Sequence, residues 1–148
     1  MKPAKDYWLE AKIKNGQMSK QRLCLHPDLL DRFMRGEDVE REVVTYNLAH
    51  GDSETICRSY RNIRKLFREK GLKPVLLVAY KRVAFQGRAE RLSLDWDIHY
   101  CPIAPATPIQ DAFAVASENT AGRERAVLLE IKYPDGKFPQ WVEQLQRG

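Results

Sequence analysis

Several short segments would put charged residues on one face of a strand and apolar residues on the other. On a strand, that spacing builds a face able to hold phosphate. The segments are Tyr80-Lys81-Arg82-Val83-Ala84-Phe85, Arg91-Leu92-Ser93-Leu94-Asp95-Trp96-Asp97 and Leu128-Leu129-Glu130-Ile131-Lys132. Strand side chains alternate between faces. Tyr80 therefore shares a side with Arg82, Arg91 with Ser93, Asp95 and Asp97, and Glu130 with Lys132. The intervening Leu92, Leu94, Trp96, Leu129 and Ile131 are expected to carry the packing. Near the start, Trp8, Glu10, Lys12 and Lys14 alternate with Tyr7, Leu9, Ala11 and Ile13, and Lys20 and Arg22 share a side beyond Asn15-Gly16. A face of this kind has two readings, the wet side of an antiparallel sheet or the wall of a polar cavity. A concave wall so lined would bind a polyanion. Arg forks match phosphate oxygens, Lys supplies point charge, and one or two carboxylates can hold Mg²⁺ or Mn²⁺ against the phosphates.

The elements that must position these residues follow from local signals. Asn15-Gly16 marks a two-residue hairpin joining strands over 5–14 and 17–25. Pro27 suits a first helical position, Leu29, Leu30, Phe33 and Met34 give that helix an apolar face, and Gly36 stops it. A second helix over about 37–48 turns Val39, Val43 and Tyr46 or Leu48 inward. Asp52 or Ser53 caps a third, with Ile56, Tyr60, Ile63 and Phe67 on one face and Arg58, Arg61, Arg64, Lys65 and Arg68 on another. Pro74 begins a strand through 86, Gln86-Gly87 turns it, and a return strand covers about 90–100. A Pro- and Ala-rich loop, a short helix near 109–116 and a polar, flexible stretch from Ser117 to Arg125 come next. A strand over 126–133, the turn Pro134-Asp135-Gly136 and a helix over about 138–146 with Trp141 and Leu145 on one face close the chain.

Size and composition set the class. The 148 residues suffice for one domain with a core, and no linker-like shift divides 1–148. The net charge of +5 and pI near 9.2 favour anionic partners without choosing among nucleic acid, nucleotide and polyphosphate. No apolar run reaches membrane-spanning length and no signal peptide opens the chain, so a cytoplasmic protein is expected. Cys24, Cys57 and Cys101 are odd in number and fit no zinc pattern, which points to reduced thiols. The basic helix face reads as a solvated surface. Nucleic acid is not the expected partner, because no zinc finger, RNA-binding aromatic signature or helix-turn-helix accompanies it.

Taken in order, these segments resemble the VTC domain, the polyphosphate polymerase module of the CYTH-like triphosphate tunnel superfamily. Leu9-Glu10-Ala11-Lys12 followed by Lys20-Gln21-Arg22 is similar to that family's acidic-basic and K-x-R strands. Tyr80 to Phe85 resembles its Y-x-R-x-A-F strand, and Arg91 to Asp95 its R-[VI]-[ST]-[LFI]-D strand. Leu129-Glu130-Ile131-Lys132, with Pro139 and Trp141, resembles its L-E-x-K and P-x-W close. The likeness spans about residues 7 to 145.

The resemblance implies an α+β fold, an antiparallel sheet forming part of a triphosphate-tunnel β-barrel with helices packed outside. It implies an ATP-dependent polyphosphate polymerase, a transferase that passes a phosphoryl group from ATP to a polyphosphate chain. Lys12, Lys20, Arg22, Tyr80, Arg82, Arg91 and Lys132 would be phosphate-binding, with Arg82, Arg91 and Lys132 catalytic and Glu130 the ligand of a divalent metal, Mn²⁺ or Mg²⁺. ATP and inorganic polyphosphate would be the partners. The family's opening strands and its lysine-bearing segment after P-x-W have no counterpart here, so the chain reads as the later part of a full domain. A truncated reading frame, completion of the tunnel by self-association or a partner chain, and a reduced form that only binds are the readings this leaves open. The alternatives in function are a non-catalytic polyphosphate- or nucleotide-binding module, a related tunnel triphosphatase or cyclase, and a nucleic-acid surface on the basic helix.

Overall fold

A computed structural model describes residues 6–15, 17–104, 107–108, 111–112, 120–134, 141–142 and 144. They belong to two compact units, one comprising 1–74 with 104–113, the other 75–103 with 114–148.

The first unit is a hairpin backed by helices. Strands β1 (Tyr7–Asn15) and β2 (Gln17–Leu25) pair antiparallel, with Leu9 opposite Leu23, Glu10 opposite Arg22 and Lys12 opposite Lys20. This register puts Leu9, Leu23 and Leu25 on one side and the charged residues on the other. Three helices follow, α1 (Pro27–Met34), α2 (Glu40–Asn47) and α3 (Ser53–Lys70). Their apolar faces meet the leucine side of the hairpin in a core of Leu23, Leu25, Phe33, Val43, Tyr60 and Ile63 with their neighbours. Pro27 begins α1 as expected, and His26 caps it, Nδ1 accepting from the Leu29 N–H at 3.4 Å. Asp52 rather than Ser53 caps α3, accepting from the Thr55 N–H at 2.9 Å. Gly71 ends α3 at φ +55°, a left-handed conformation that glycine adopts without a Cβ penalty.

In α2 the inward residues differ from expectation. Val39 and Val43 are fully buried, but Tyr46 and Leu48 stay exposed and Asn47 turns inward instead, 2 % exposed. Its amide accepts from the Cys24 N–H and donates to the Cys24 and Val43 carbonyls, each at 2.8 Å. The side chain thus satisfies the backbone of β2 at Cys24, which an apolar residue could not do.

The second unit is a sheet centred on one long strand. Strand β4 (Arg91–Pro102) pairs antiparallel with β3 (Leu76–Gln86), with β5 (Gly122–Glu124) and with β6 (Leu128–Lys132). The polar stretch read as flexible therefore contains a strand. Three residues without apolar alternation carry no strand signal, and β5 is held by its pairing at Ile98, His99 and Tyr100.

The register of β3 and β4 slips between Ala79 and Lys81, where β4 spends an extra residue at Asp97. Asp97 has φ +55°, the one non-glycine residue with positive φ among those described. This bulge corrects the reading of β4 as one unbroken alternation, and Asp97 does not share the surroundings of Asp95. The packing expectation for the apolar positions also fails. Trp96 and Leu129 are exposed and Leu92, Leu94 and Ile131 are half-buried, whereas Ser93, Ile98 and Cys101 are the buried positions of β4. The three helices pack on β2 within the first unit.

Residues 111–112 are helical within the expected helix near 109–116, and 141, 142 and 144 within that over 138–146. The remaining residues of both, including Leu145, lie outside the described residues, as do Gly16, Pro139 and the side chain of Lys14. The described strands form antiparallel sheets beside helices, a mixed α and β architecture.

Candidate functional site

The charged side of the β1–β2 hairpin carries Lys12, Lys20 and Arg22 together. Lys12 stands directly opposite Lys20, an arrangement of like charges that costs stability unless an anion relieves it. Glu10 supplies part of that relief, with Lys20 Nζ at 2.6 Å and Lys12 Nζ at 3.8 Å. The hydrogen bond from Lys20 is the main reason the Glu10 carboxyl lies below its usual range, against a smaller opposing effect of desolvation. Arg22 stacks its guanidinium over the Trp8 ring at 4.4 Å, and Trp8 meets His50 edge-on at 5.1 Å. Sequence alternation placed Trp8 on this side but gave no role for it. Its ring is the platform for Arg22.

The sheet of the second unit brings the other candidates onto one face. Register sets Arg82 opposite Asp95, Gln86 opposite Arg91, Arg91 opposite Lys132, and Ser93 opposite Glu130. Arg82, Arg91, Glu130 and Lys132 therefore project from the same side; alternation put Glu130 with Lys132, and the register brings Arg82 and Arg91 to them. Tyr80 joins them, its ring 4.9 Å below the Arg82 guanidinium. Arg82 is forked onto Asp95, Nε to Oδ1 at 2.5 Å and Nη2 to Oδ2 at 2.6 Å. That bond lowers the Asp95 carboxyl pKa and raises that of the guanidinium further. Asp95 was legible in its motif, but its role as the partner that aims Arg82 depends on the register.

Glu130 is half-exposed, with Lys132 Nζ at 3.3 Å and the Ser93 hydroxyl donating at 3.5 Å. Three metal-ligating side chains do not cluster anywhere among the described residues. One exposed carboxylate still fits a hard divalent ion that takes most of its oxygens from phosphate and water. Arg91 is exposed, and its nearest cross-strand neighbour on β6 is another cation, Lys132.

The basic side of α3 is largely committed within the fold. Arg61 grips Glu40 with a shortest contact of 2.6 Å, and Arg64 reaches Asp38 at 2.7 Å. Asp38 also accepts from the buried Tyr60 hydroxyl, which in turn accepts from the Val39 N–H at 3.0 Å. These arginines tie α3 to the start of α2, in keeping with a structural face.

Antiparallel sheets with cationic faces, and helices packed on one hairpin, make this a mixed α and β protein. The VTC domain family model matches residues 1–148, the whole chain, and the chain belongs to that family. A comparison with curated proteins finds no match. Among the described residues, no helix is long and apolar enough to cross a membrane.

Proposed function

We propose that this chain is a polyphosphate polymerase module that moves the γ-phosphoryl group of ATP onto a polyphosphate chain inside a triphosphate tunnel. The observation that carries this reading is the placing of Arg91 directly opposite Lys132, on the same face as Arg82 and Glu130. Like charges across a ladder are unfavourable without an anion between them, and phosphate oxygens are the anion that Arg forks fit. The closed barrel is part of the proposal and rests on the family, as do the phosphate-binding roles of Lys12, Lys20 and Arg22.

Little covalent work falls to the protein in such a transfer. It must hold the donor and acceptor in line and neutralise charge on the equatorial oxygens. Arg82, kept aimed by Asp95 and stacked on Tyr80, still has Nη1 to offer an oxygen. Arg91 and Lys132 place two charges side by side for the transferred group. Glu130 would hold Mn²⁺ or Mg²⁺, which when bound lends Lewis-acid neutralisation to the phosphate oxygens. The acceptor's terminal phosphate oxygen is already ionised, so no side chain needs to remove a proton.

The test is incubation of the 148-residue chain with ATP and Mn²⁺, followed by gel analysis for polyphosphate. Polyphosphate that is lost in Glu130→Ala is the expected result. Saturable tripolyphosphate binding without ADP or polymer would replace this reading with a binding module. That second reading is favoured by the internal pairing of Arg82 with Asp95 and of Glu130 with Lys132, which suits holding an anion as well as transferring one.

A further inference from the structure

The opposite side of the second sheet carries a separate cluster. Lys81 and Trp96 face each other across β3 and β4, one position out of phase with Arg82 and Asp95, so they project away from the proposed transfer face. Beside them the Asp97 bulge swings its carboxylate out of the strand alternation. It takes Lys81 Nζ at 2.9 Å and His99 Nε2 at 3.0 Å, and it is also bonded by Arg123 of β5. Lys81, Trp96, Asp97, Arg123 and Arg125 line an open recess of about 840 Å³, within the size range of small-ligand sites. Trp96 is 37 % exposed, so its ring is available there. Arg125 makes no ion pair among the described residues. The Glu124 carboxylate is turned to the Ala126 N–H at 3.0 Å.

We propose that this recess is a second ligand site, which takes a mononucleotide di- or triphosphate with its base stacked on Trp96 and its phosphates on Lys81, Arg123 and Arg125. A single aromatic platform beside clustered cations fits one base and one short phosphate chain. Asp97 holds Lys81 and Arg123 at the recess before a ligand arrives, which reduces the ordering cost of binding. A bare polyanion would use the cations and leave the indole idle. The site is independent of the transfer reaction and would exist in a chain that catalyses nothing.

The test follows the Trp96 indole N–H by NMR during titration with ADP and, separately, with tripolyphosphate. ADP is expected to shift that resonance in the native chain and equally in Arg82→Ala. Arg125→Ala, at a position with no ion-pair partner among the described residues, should weaken the ADP effect about tenfold, the scale of one charge-assisted contact. Trp96→Ala should remove the preference for ADP over tripolyphosphate, read by calorimetry. No shift with ADP would overturn the assignment. So would an equal response to tripolyphosphate, which would mark a bare-anion patch, or loss of the shift in Arg82→Ala, which would mean one site rather than two. Absence of polymerase activity alters none of these readouts.

Discussion

Arg82 and Asp95 stand directly opposite each other on β3 and β4 and share two hydrogen bonds, at 2.5 and 2.6 Å. The pair fixes the plane of the guanidinium, and with it the direction of Nη1, the nitrogen that Asp95 does not take. Asp95→Asn keeps the shape but removes the charge that holds the fork. Tripolyphosphate binding is expected to weaken about tenfold in Asp95→Asn, on the scale of one charge-assisted contact. Arg82→Lys should fare no better than Arg82→Ala, because an ammonium cannot make the fork. Calorimetric titration of the variants checks both, and native-like affinity in Asp95→Asn would remove Asp95 from the site.

Glu130 is the only acid assigned to a metal, and its exposure leaves room for one. Glu130→Gln should abolish the gain in triphosphate affinity that Mn²⁺ brings, while metal-free binding persists or tightens because a negative charge has left a cationic face. Titrations with Mn²⁺ and with chelator separate the two effects. An undiminished metal effect would place the ion elsewhere.

The Asp97 carboxyl is held well below the usual Asp range, by Lys81 first and then by His99 and Arg123. A depressed folded-state pKa gives stability that is fully present above the unfolded value and is lost as pH falls through the folded one. The Tm difference between the native chain and Asp97→Asn should therefore stay level from neutral pH down to about pH 4, the unfolded Asp value, and narrow below it. Melting curves across that range are the check. A gap that already closes between pH 7 and 5 would contradict the assigned cause.

Asn47 is buried and makes all of its described bonds to backbone. Asn47→Ala leaves the Cys24 N–H and two carbonyls without that partner. A loss of about 2–3 kcal/mol is expected, the scale for orphaning buried polar groups. Urea unfolding measures it, and a change below about 0.5 kcal/mol, within the scatter of surface substitutions, would mean that water replaces the amide.

Period-two spacing alone put Tyr80 with Arg82, Arg91 with Asp95, and Glu130 with Lys132, because the alternation of a strand is a covalent property of the chain. The amphipathic face of α3 was legible for the same kind of local reason, and its cap was narrowed to Asp52 or Ser53, between which the structure chose Asp52. Family membership was legible too, in the order of the motifs. Tertiary structure decided what depends on partners distant in sequence. The register sets Asp95 against Arg82 and Lys132 beside Arg91. The bulge takes Asp97 out of step, through a backbone conformation that no spacing encodes. Asn47 turns inward because β2 offers a strand edge to satisfy, and β5 forms because β4 supplies its hydrogen bonds. Local sequence fixes which way a side chain leaves its own strand, but the residue waiting across the ladder is chosen by folding.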